Sequence, residues 1–401
     1  MFVGNGFYAS TQWIQLSMIT KMCSPITLGA YTLALAISAP IFLFLSLQLR
    51  SLIVTDSKGE WSISSYFVLR TITLVIGFII VLSYILIARS DFKILLFIAI
   101  LKIIEGFAEI FNSQQQLMEK MYYVAISFIL KGMATTISIF IGMFFFDSLS
   151  VGLFIAVFLN ILVLYFNDFF NCKKLFRKEK LFYFKNLKLK SLFIKAIPLG
   201  IVMGIISLNT NISKYITEVV LGREMQGIYS TLAYCLVLGN FVNAAVGQSF
   251  SPRMSKYYYE NKKKDFKKLC IKYISINLSV GISLFVIFSI GGHYFLKVMF
   301  SDSIALYSDL FALIMFSGIF LYIASSLGYI LTSMRVFKIQ PLINGIVMIT
   351  NIICCYFLIN SYNIYGVVYS SIIVFSIQIL LTSYFLYKYY GQNSACIRSV
   401  R

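Results

Sequence analysis

The sequence predicts an all-α polytopic membrane protein, with about twelve transmembrane helices in two six-helix lobes. Three observations carry that prediction. The 401 residues are 59% hydrophobic and only 12% charged, where a soluble domain carries roughly 25% charged residues. Apolar stretches of the roughly 20 residues that cross a ~30 Å hydrocarbon core recur from end to end, giving a mean hydropathy of +0.85. The cations fall in short segments between those stretches, so the net charge of +19 reports membrane orientation. No basic domain stands apart as a nucleic-acid footprint.

Taken in order, the apolar runs predict helices at about 5–21, 28–51, 66–88, 94–115, 122–146 and 149–170. Past a basic linker they predict helices at about 193–219, 227–250, 269–290, 305–333, 341–360 and 364–388. The first has no basic segment before it and holds Asn5, Gln12 and Gln15, so it reads as a retained helix with a polar face. The fourth contains Lys102, Glu105 and Glu109. The domains expected are an N-terminal lobe (1–170), a basic cytoplasmic linker (171–192), a C-terminal lobe (193–390) and a cytoplasmic tail (391–401).

Loop cations set the orientation. The 171–195 segment holds Lys173, Lys174, Arg177, Lys178, Lys180, Lys185, Lys188, Lys190 and Lys195, and the 253–272 segment is comparably basic. Both follow an even-numbered helix, as do Lys58, Lys120, Arg335 and Lys338, while the tail holds Lys388, Arg398 and Arg401. The positive-inside rule makes that side cytoplasmic and puts both termini there. The opposite loops hold few cations, among them Lys21, Arg89 and Arg223, and the longest, around 291–304, is too short for a catalytic domain.

The halves read as a parallel repeat. Gly29-Ala30-Tyr31 opens the second helix and Gly227-Ile228-Tyr229 the eighth, 198 residues later, each followed by a helix that ends near Arg50 or Arg253. Internal repeats of this kind are a transporter feature.

Other chemistries find little support. The seven cysteines have no metal-ligand or disulfide-framework spacing. The single histidine, His293, is expected in a loop. There is no phosphate-binding glycine loop and no nucleophile elbow. No enzyme and no cofactor are expected.

Charges inside a bilayer cost several kcal/mol, so each is a candidate site. Lys131 lies mid-helix without a local partner, and Lys214 stands four residues from Glu218, with which it can pair. Asn209 and Asn211 lie on the same helix as Lys214, and Gln12 and Gln15 occupy corresponding levels of helix one. A cavity lined by Lys131, Lys214 and Arg50 would attract an anionic headgroup such as a diphosphate, with lysine acting as a point charge. Glu105, Glu109 and Glu218 are the candidates for ion coupling. Structural readings stand beside these: Lys102–Glu105 and Lys214–Glu218 as neutralised pairs, and Arg50 and Arg70 as side chains that snorkel to the interface.

Specific residues carry a family resemblance. The stretch Ser207 to Glu218, then Leu221-Gly222, Gly227-Ile228-Tyr229 and Ser251-Pro252-Arg253, resembles the Wzx-type oligosaccharide flippases of the MOP exporter superfamily. Leu28-Gly29-Ala30-Tyr31, Ala39-Pro40 and Gln48-Leu49-Arg50 resemble the opening of the same family. The resemblance implies two lobes around a central cationic cavity in a bacterial cytoplasmic (inner) membrane. It implies that an undecaprenyl-diphosphate-linked oligosaccharide repeat unit is flipped from the cytoplasmic to the outer leaflet, for O-antigen, lipopolysaccharide or capsule assembly. Membrane lipids and other polysaccharide-assembly proteins are the further partners it implies. Similar sequences tend to have Pro-Arg where this chain has Ser213-Lys214, which keeps the charge but loses the bidentate fork. The alternatives are a cation-coupled drug or metabolite antiporter of the same superfamily and a membrane glycan polymerase.

Overall fold

A computed structural model describes residues 2–55, 60–88, 92–175, 187–334, 336 and 339–396. Several cations used for orientation lie outside the described residues: Lys58, Arg89, Arg177, Lys178, Lys180, Lys185, Arg335, Lys338, Arg398 and Arg401. Every regular element among the described residues is helical. Eight stretches are long and apolar enough to cross a membrane, and the protein is a multi-pass membrane protein.

The chain divides into two compact units, residues 1–208 and 209–401. Unit 1 begins with α1 (Phe2–Met22), α2 (Pro25–Leu45), the short α3 (Leu49–Thr55) and α4 (Ile63–Ala88). It continues through α5 (Phe92–Leu117), α6 (Met121–Phe146), α7 (Leu149–Val163), a π-helical turn (Leu164–Phe169) and α8 (Phe170–Leu175). The start of α9 (Leu189–Tyr234) belongs to it as well. Unit 2 holds the rest of α9, α10 (Val237–Tyr259), α11 (Lys263–Met299), α12 (Asp302–Ala305), α13 (Ser308–Ser333) and α14 (Gln340–Cys396).

At 1.5 Å per residue, the 46-residue α9 and the 57-residue α14 are each more than twice as long as a hydrocarbon core of ~30 Å. Each therefore holds two segments. They meet at Gly222 (φ 85°) in α9 and at Asn363 (φ 51°) in α14. Glycine reaches positive φ without steric cost and asparagine at little cost. The expected pair 341–360/364–388 falls on α14, and 193–219 falls on α9, whereas the expected helix 227–250 is divided between the end of α9 and α10. α5 is absent from the eight apolar stretches, in keeping with its three internal charges.

The expected helix at 28–51 is broken. The chain turns at residues 46–48, with Leu47 and Gln48 at φ 50° and 51°. A left-handed conformation costs a non-glycine residue roughly 1–2 kcal/mol. Burial offsets it: Leu47, Leu49 and Ile53 pack with Trp61, Tyr66, Leu69, Ile110, Leu192 and Ala196 in one cluster. The break places Arg50 in the first turn of α3. Two other expectations are corrected at the far end. The helix expected at 269–290 runs over Lys263–Met299, so His293 is helical rather than in a loop, its Nδ1 3.1 Å from the Ala305 carbonyl oxygen.

α6 and α7 approach so closely that a Cβ on Gly142 would strike the backbone of Gly152. That contact fixes α7 and the π turn beyond it against α6, which carries Lys131.

Candidate functional site

Unit 1 encloses a cavity of about 310 Å³, walled by side chains of α1 to α6. Its charged lining comprises Arg50, Arg70, Lys102, Glu105, Glu109 and Lys131, with Tyr8 and Asn112 as polar neighbours. Aliphatic and aromatic groups such as Phe42, Leu43, Leu74 and Phe128 complete it. Apolar walls lower the local dielectric, so each of these charges needs a partner.

Most of the partners are carboxylates. Glu105 accepts from Lys102 Nζ at 2.7 Å and from the Tyr8 hydroxyl at 2.9 Å. This is the structural pair expected from the i, i+3 spacing. Glu109 accepts from Arg70 Nη2, while Arg70 Nε donates to the Gly106 carbonyl at 3.0 Å. Arg70 is 4% exposed, so it does not snorkel to the interface.

Lys131 has the partner that the sequence reading denied it. Its Nζ donates to Asp168 Oδ2 at 2.5 Å and to Ser127 Oγ at 2.9 Å. Asp168 lies in the π turn and is wholly buried, and its Oδ1 accepts from Asn167 Nδ2 at 2.9 Å. A π turn inserts an extra residue into the helical register and re-aims the side chains that follow. Simple 3.6-residue periodicity therefore gave no sign that Asp168 faces Lys131.

Arg50 differs. Its Nε and Nη2 both donate to Gln116 Oε1, at 3.1 and 2.8 Å. A neutral amide cannot balance a guanidinium. Four cations (Arg50, Arg70, Lys102, Lys131) stand against three carboxylates (Glu105, Glu109, Asp168), leaving one positive charge. The cavity is suited to hold an anion.

Gln15 is buried and donates to Thr136 Oγ1 of α6 at 3.1 Å, whereas Gln12 is half-buried. Neither is among the residues that line this cavity.

In unit 2 a second polar stripe runs along α9. Lys214 is half-buried and donates to Asn211 Oδ1 at 3.1 Å. The expected Lys214–Glu218 pair is not formed. Glu218 lies 3.5 Å from Arg223 instead, just beyond the bend at Gly222. Ser213 donates to Asn351 Oδ1 at 3.4 Å, and Asn351 Nδ2 donates to the Asn209 carbonyl at 3.3 Å. Asn351, on α14, was missed because its sequence surroundings read as an ordinary apolar helix.

A family model described as polysaccharide biosynthesis protein matches residues 1–258. The capsular polysaccharide biosynthesis protein CapF of Staphylococcus aureus is 29% identical over 392 residues, covering 97% of this chain and 98% of that protein. Among solved structures, the lipid II flippase MurJ in an inward closed conformation aligns with a TM-score of 0.76 at 16% identity, over 96% of this chain and 86% of that one. An inward-facing multidrug MATE transporter of the MOP superfamily aligns with a TM-score of 0.67 at 12% identity, over 98% and 95%. A MOP superfamily transporter from Pyrococcus furiosus aligns at 0.63 and 13%, over 96% and 93%. These likenesses show a shared fold, and the family match bears out the resemblance read from the motifs. The chain, helical and multi-pass with a cation-rich cavity, belongs to the polysaccharide biosynthesis protein family.

Proposed function

We propose that this protein flips a polyprenyl-diphosphate-linked oligosaccharide repeat unit from the cytoplasmic to the outer leaflet, for surface polysaccharide assembly. The observation that carries this reading is the unbalanced positive charge in the unit 1 cavity, where Arg50, among the described residues, hydrogen-bonds to an amide and forms no ion pair. An anionic headgroup supplies the missing counter-charge, and the guanidinium fork suits a phosphate geometrically. The relationship to a capsule biosynthesis protein supports the pathway.

In this reading Arg50 and Lys131 of unit 1, and Lys214, Asn209 and Asn211 of unit 2, bind the substrate in turn. Gln12 and Gln15 support the first helix of the pathway, and Glu105, Glu109 or Glu218 carries a coupling ion. Twelve crossings form lobes 1–170 and 193–390, with the 171–192 linker, the 391–401 tail and both termini in the cytoplasm. The protein works by alternating access in the cytoplasmic (inner) membrane, with membrane lipids and other assembly proteins around it and without covalent chemistry.

The test is gene deletion with leaflet-resolved analysis of lipid-linked intermediates. Complete repeat units trapped on the cytoplasmic leaflet, with surface polymer lost, are the expected outcome. Normal polymer with altered drug sensitivity would replace the flippase reading with an antiporter, and unpolymerised units facing outward would replace it with a polymerase.

A further inference from the structure

Two buried polar atoms in the unit 1 cavity lack hydrogen-bond partners among the described residues: Arg70 Nη1 and Asn112 Oδ1. Both residues line the cavity and are 4% and 2% exposed. A buried donor or acceptor left unsatisfied costs roughly 1–3 kcal/mol, and a charged donor more. A guanidinium N–H complements a phosphate oxygen, which accepts, and an amide oxygen complements a hydroxyl of the group esterified to that phosphate, which donates.

The other nitrogens of Arg70 are engaged. Nε reaches the Gly106 carbonyl, and Nη2 reaches Glu109. Glu109 thus presents to Arg70 the kind of group an anionic ligand would present. Three facts single it out from the cavity's other carboxylates. Its side chain is 30% exposed and lines the cavity, as does Glu105 at 39%, whereas Asp168 is fully buried and outside the lining. Glu105 is held by two donors, Lys102 and Tyr8. Asp168 accepts from both Lys131 and Asn167. Glu109 is therefore the carboxylate that a ligand can reach and replace.

We propose that Arg70, Asn112 and Arg50 form a seat for a phosphate or diphosphate group, and that Glu109 is an internal counter-anion that occupies the seat until such a group displaces it. The seat deepens the flippase reading and rests on it for the chemical class of the ligand. Pairing with Glu109 neutralises Arg70, which offsets the cost of burying a guanidinium. A phosphate brings more acceptor oxygens and more charge than a carboxylate, so it outcompetes Glu109 for the fork. The tethered carboxylate sets a threshold: weakly charged or singly contacting anions fail to displace it.

The experiment is titration calorimetry on the full chain in nanodiscs, with inorganic pyrophosphate and with farnesyl diphosphate as probes. Glu109→Gln is expected to tighten both probes about tenfold, roughly 1.4 kcal/mol, and Arg70→Gln to weaken both at least about as much. In the Arg70→Gln background, Glu109→Gln should add markedly less, because most of its effect passes through Arg70 and only its field at Arg50 remains. An unchanged or weakened affinity in folded Glu109→Gln protein overturns the proposal, as does an equal gain in the double variant. If Glu109→Gln does not yield folded protein, Glu109→Asp carries the test. The withdrawn carboxylate should give a smaller gain in the same direction, and no gain overturns the seat. Equal gains for the two probes assign recognition to the phosphate group, whereas a gain confined to farnesyl diphosphate overturns the seat in favour of the lipid chain. The outcomes also separate this proposal from the transport reading. Tighter pyrophosphate binding together with normal lipid intermediates in the deletion strain sinks the transport reading alone. Trapped intermediates without a Glu109 effect sink the seat alone.

Discussion

The cavity of unit 1 and the polar stripe of unit 2 handle intramembrane charge in opposite ways. In unit 1, Lys102, Arg70 and Lys131 each meet a carboxylate. In unit 2, Lys214 meets only the Asn211 amide, while Glu218 goes to Arg223. An ion pair satisfies two charges at once but ties both down, and an amide leaves the cation's charge unspent. The paired cations of unit 1 therefore hold the architecture as well as line the cavity. Arg50 and Lys214, each hydrogen-bonded to an amide, are the cations a ligand meets without first displacing a carboxylate.

That contrast breaks most readily at Asp168. Asp168→Ala strands Lys131 in a wholly buried place, and breaking a buried pair costs about 3–5 kcal/mol. Thermal unfolding in detergent should show the loss, and a Lys131→Leu/Asp168→Leu double variant should recover most of it. If Asp168→Ala is as stable as the parent, the pair is not structural. A smaller step within the same unit is Tyr8→Phe, which removes the hydroxyl donated to Glu105. A hydrogen bond to a charged group contributes roughly 1.5–3 kcal/mol, and the partial exposure of Glu105 puts the expected loss at the lower end of that range.

Lys214→Gln sharpens the other side of the comparison. It gives up one hydrogen bond to an amide, so unfolding should move by no more than about 1 kcal/mol. Polymer export should nevertheless fall about tenfold or more, measured as surface glycan per cell. A stability loss as large as that of Asp168→Ala would show that the two units do not differ.

The smallest effect is expected outside the membrane. At the α10–α11 turn, Lys262 donates to Glu260 and holds its carboxyl below the ordinary carboxylate range, while Glu260 raises Lys262. A depressed carboxyl contributes stability at neutral pH that is lost as pH falls through its folded value, on the acid side of the ordinary ~4.3. A raised lysine contributes until pH climbs through its own folded value, above ~10.4. Glu260→Gln should leave unfolding between pH 6 and 9 unchanged within error, because both groups are fully solvated. A clear shift there would mean that surface pairs matter as much as the buried ones.

Much of the fold was legible because bilayer physics writes itself into composition: long apolar runs, scarce charge and cations concentrated between those runs. The bent helices were readable as pairs, since the polar interruptions near Gly222 and Asn363 separate two spans. The break at residues 46–48 was not, because Leu47 and Gln48 carry no turn signature. Their left-handed backbone exists only because the cluster around Trp61 and Ile110 holds it. At the site, Lys131 and Arg50 were legible by the cost of burying them, while Asp168 was hidden by the π turn that aims it. Arg70 read as a snorkelling side chain because its position near a helix end said nothing of Glu109, 39 residues away.

The sequence by itself determined the membrane class, the long apolar helices and which cations would lie within them. Hydropathy and single-residue transfer costs act locally along the chain, so they can be read without a fold. Tertiary structure decided who answers those charges: Asp168 for Lys131, Gln116 for Arg50 and Asn211 rather than Glu218 for Lys214; it also brings Asn351 to the Ser213 hydroxyl, 138 residues distant. A buried charge takes whichever partner packing brings within hydrogen-bond reach, and packing joins residues that sequence spacing does not relate.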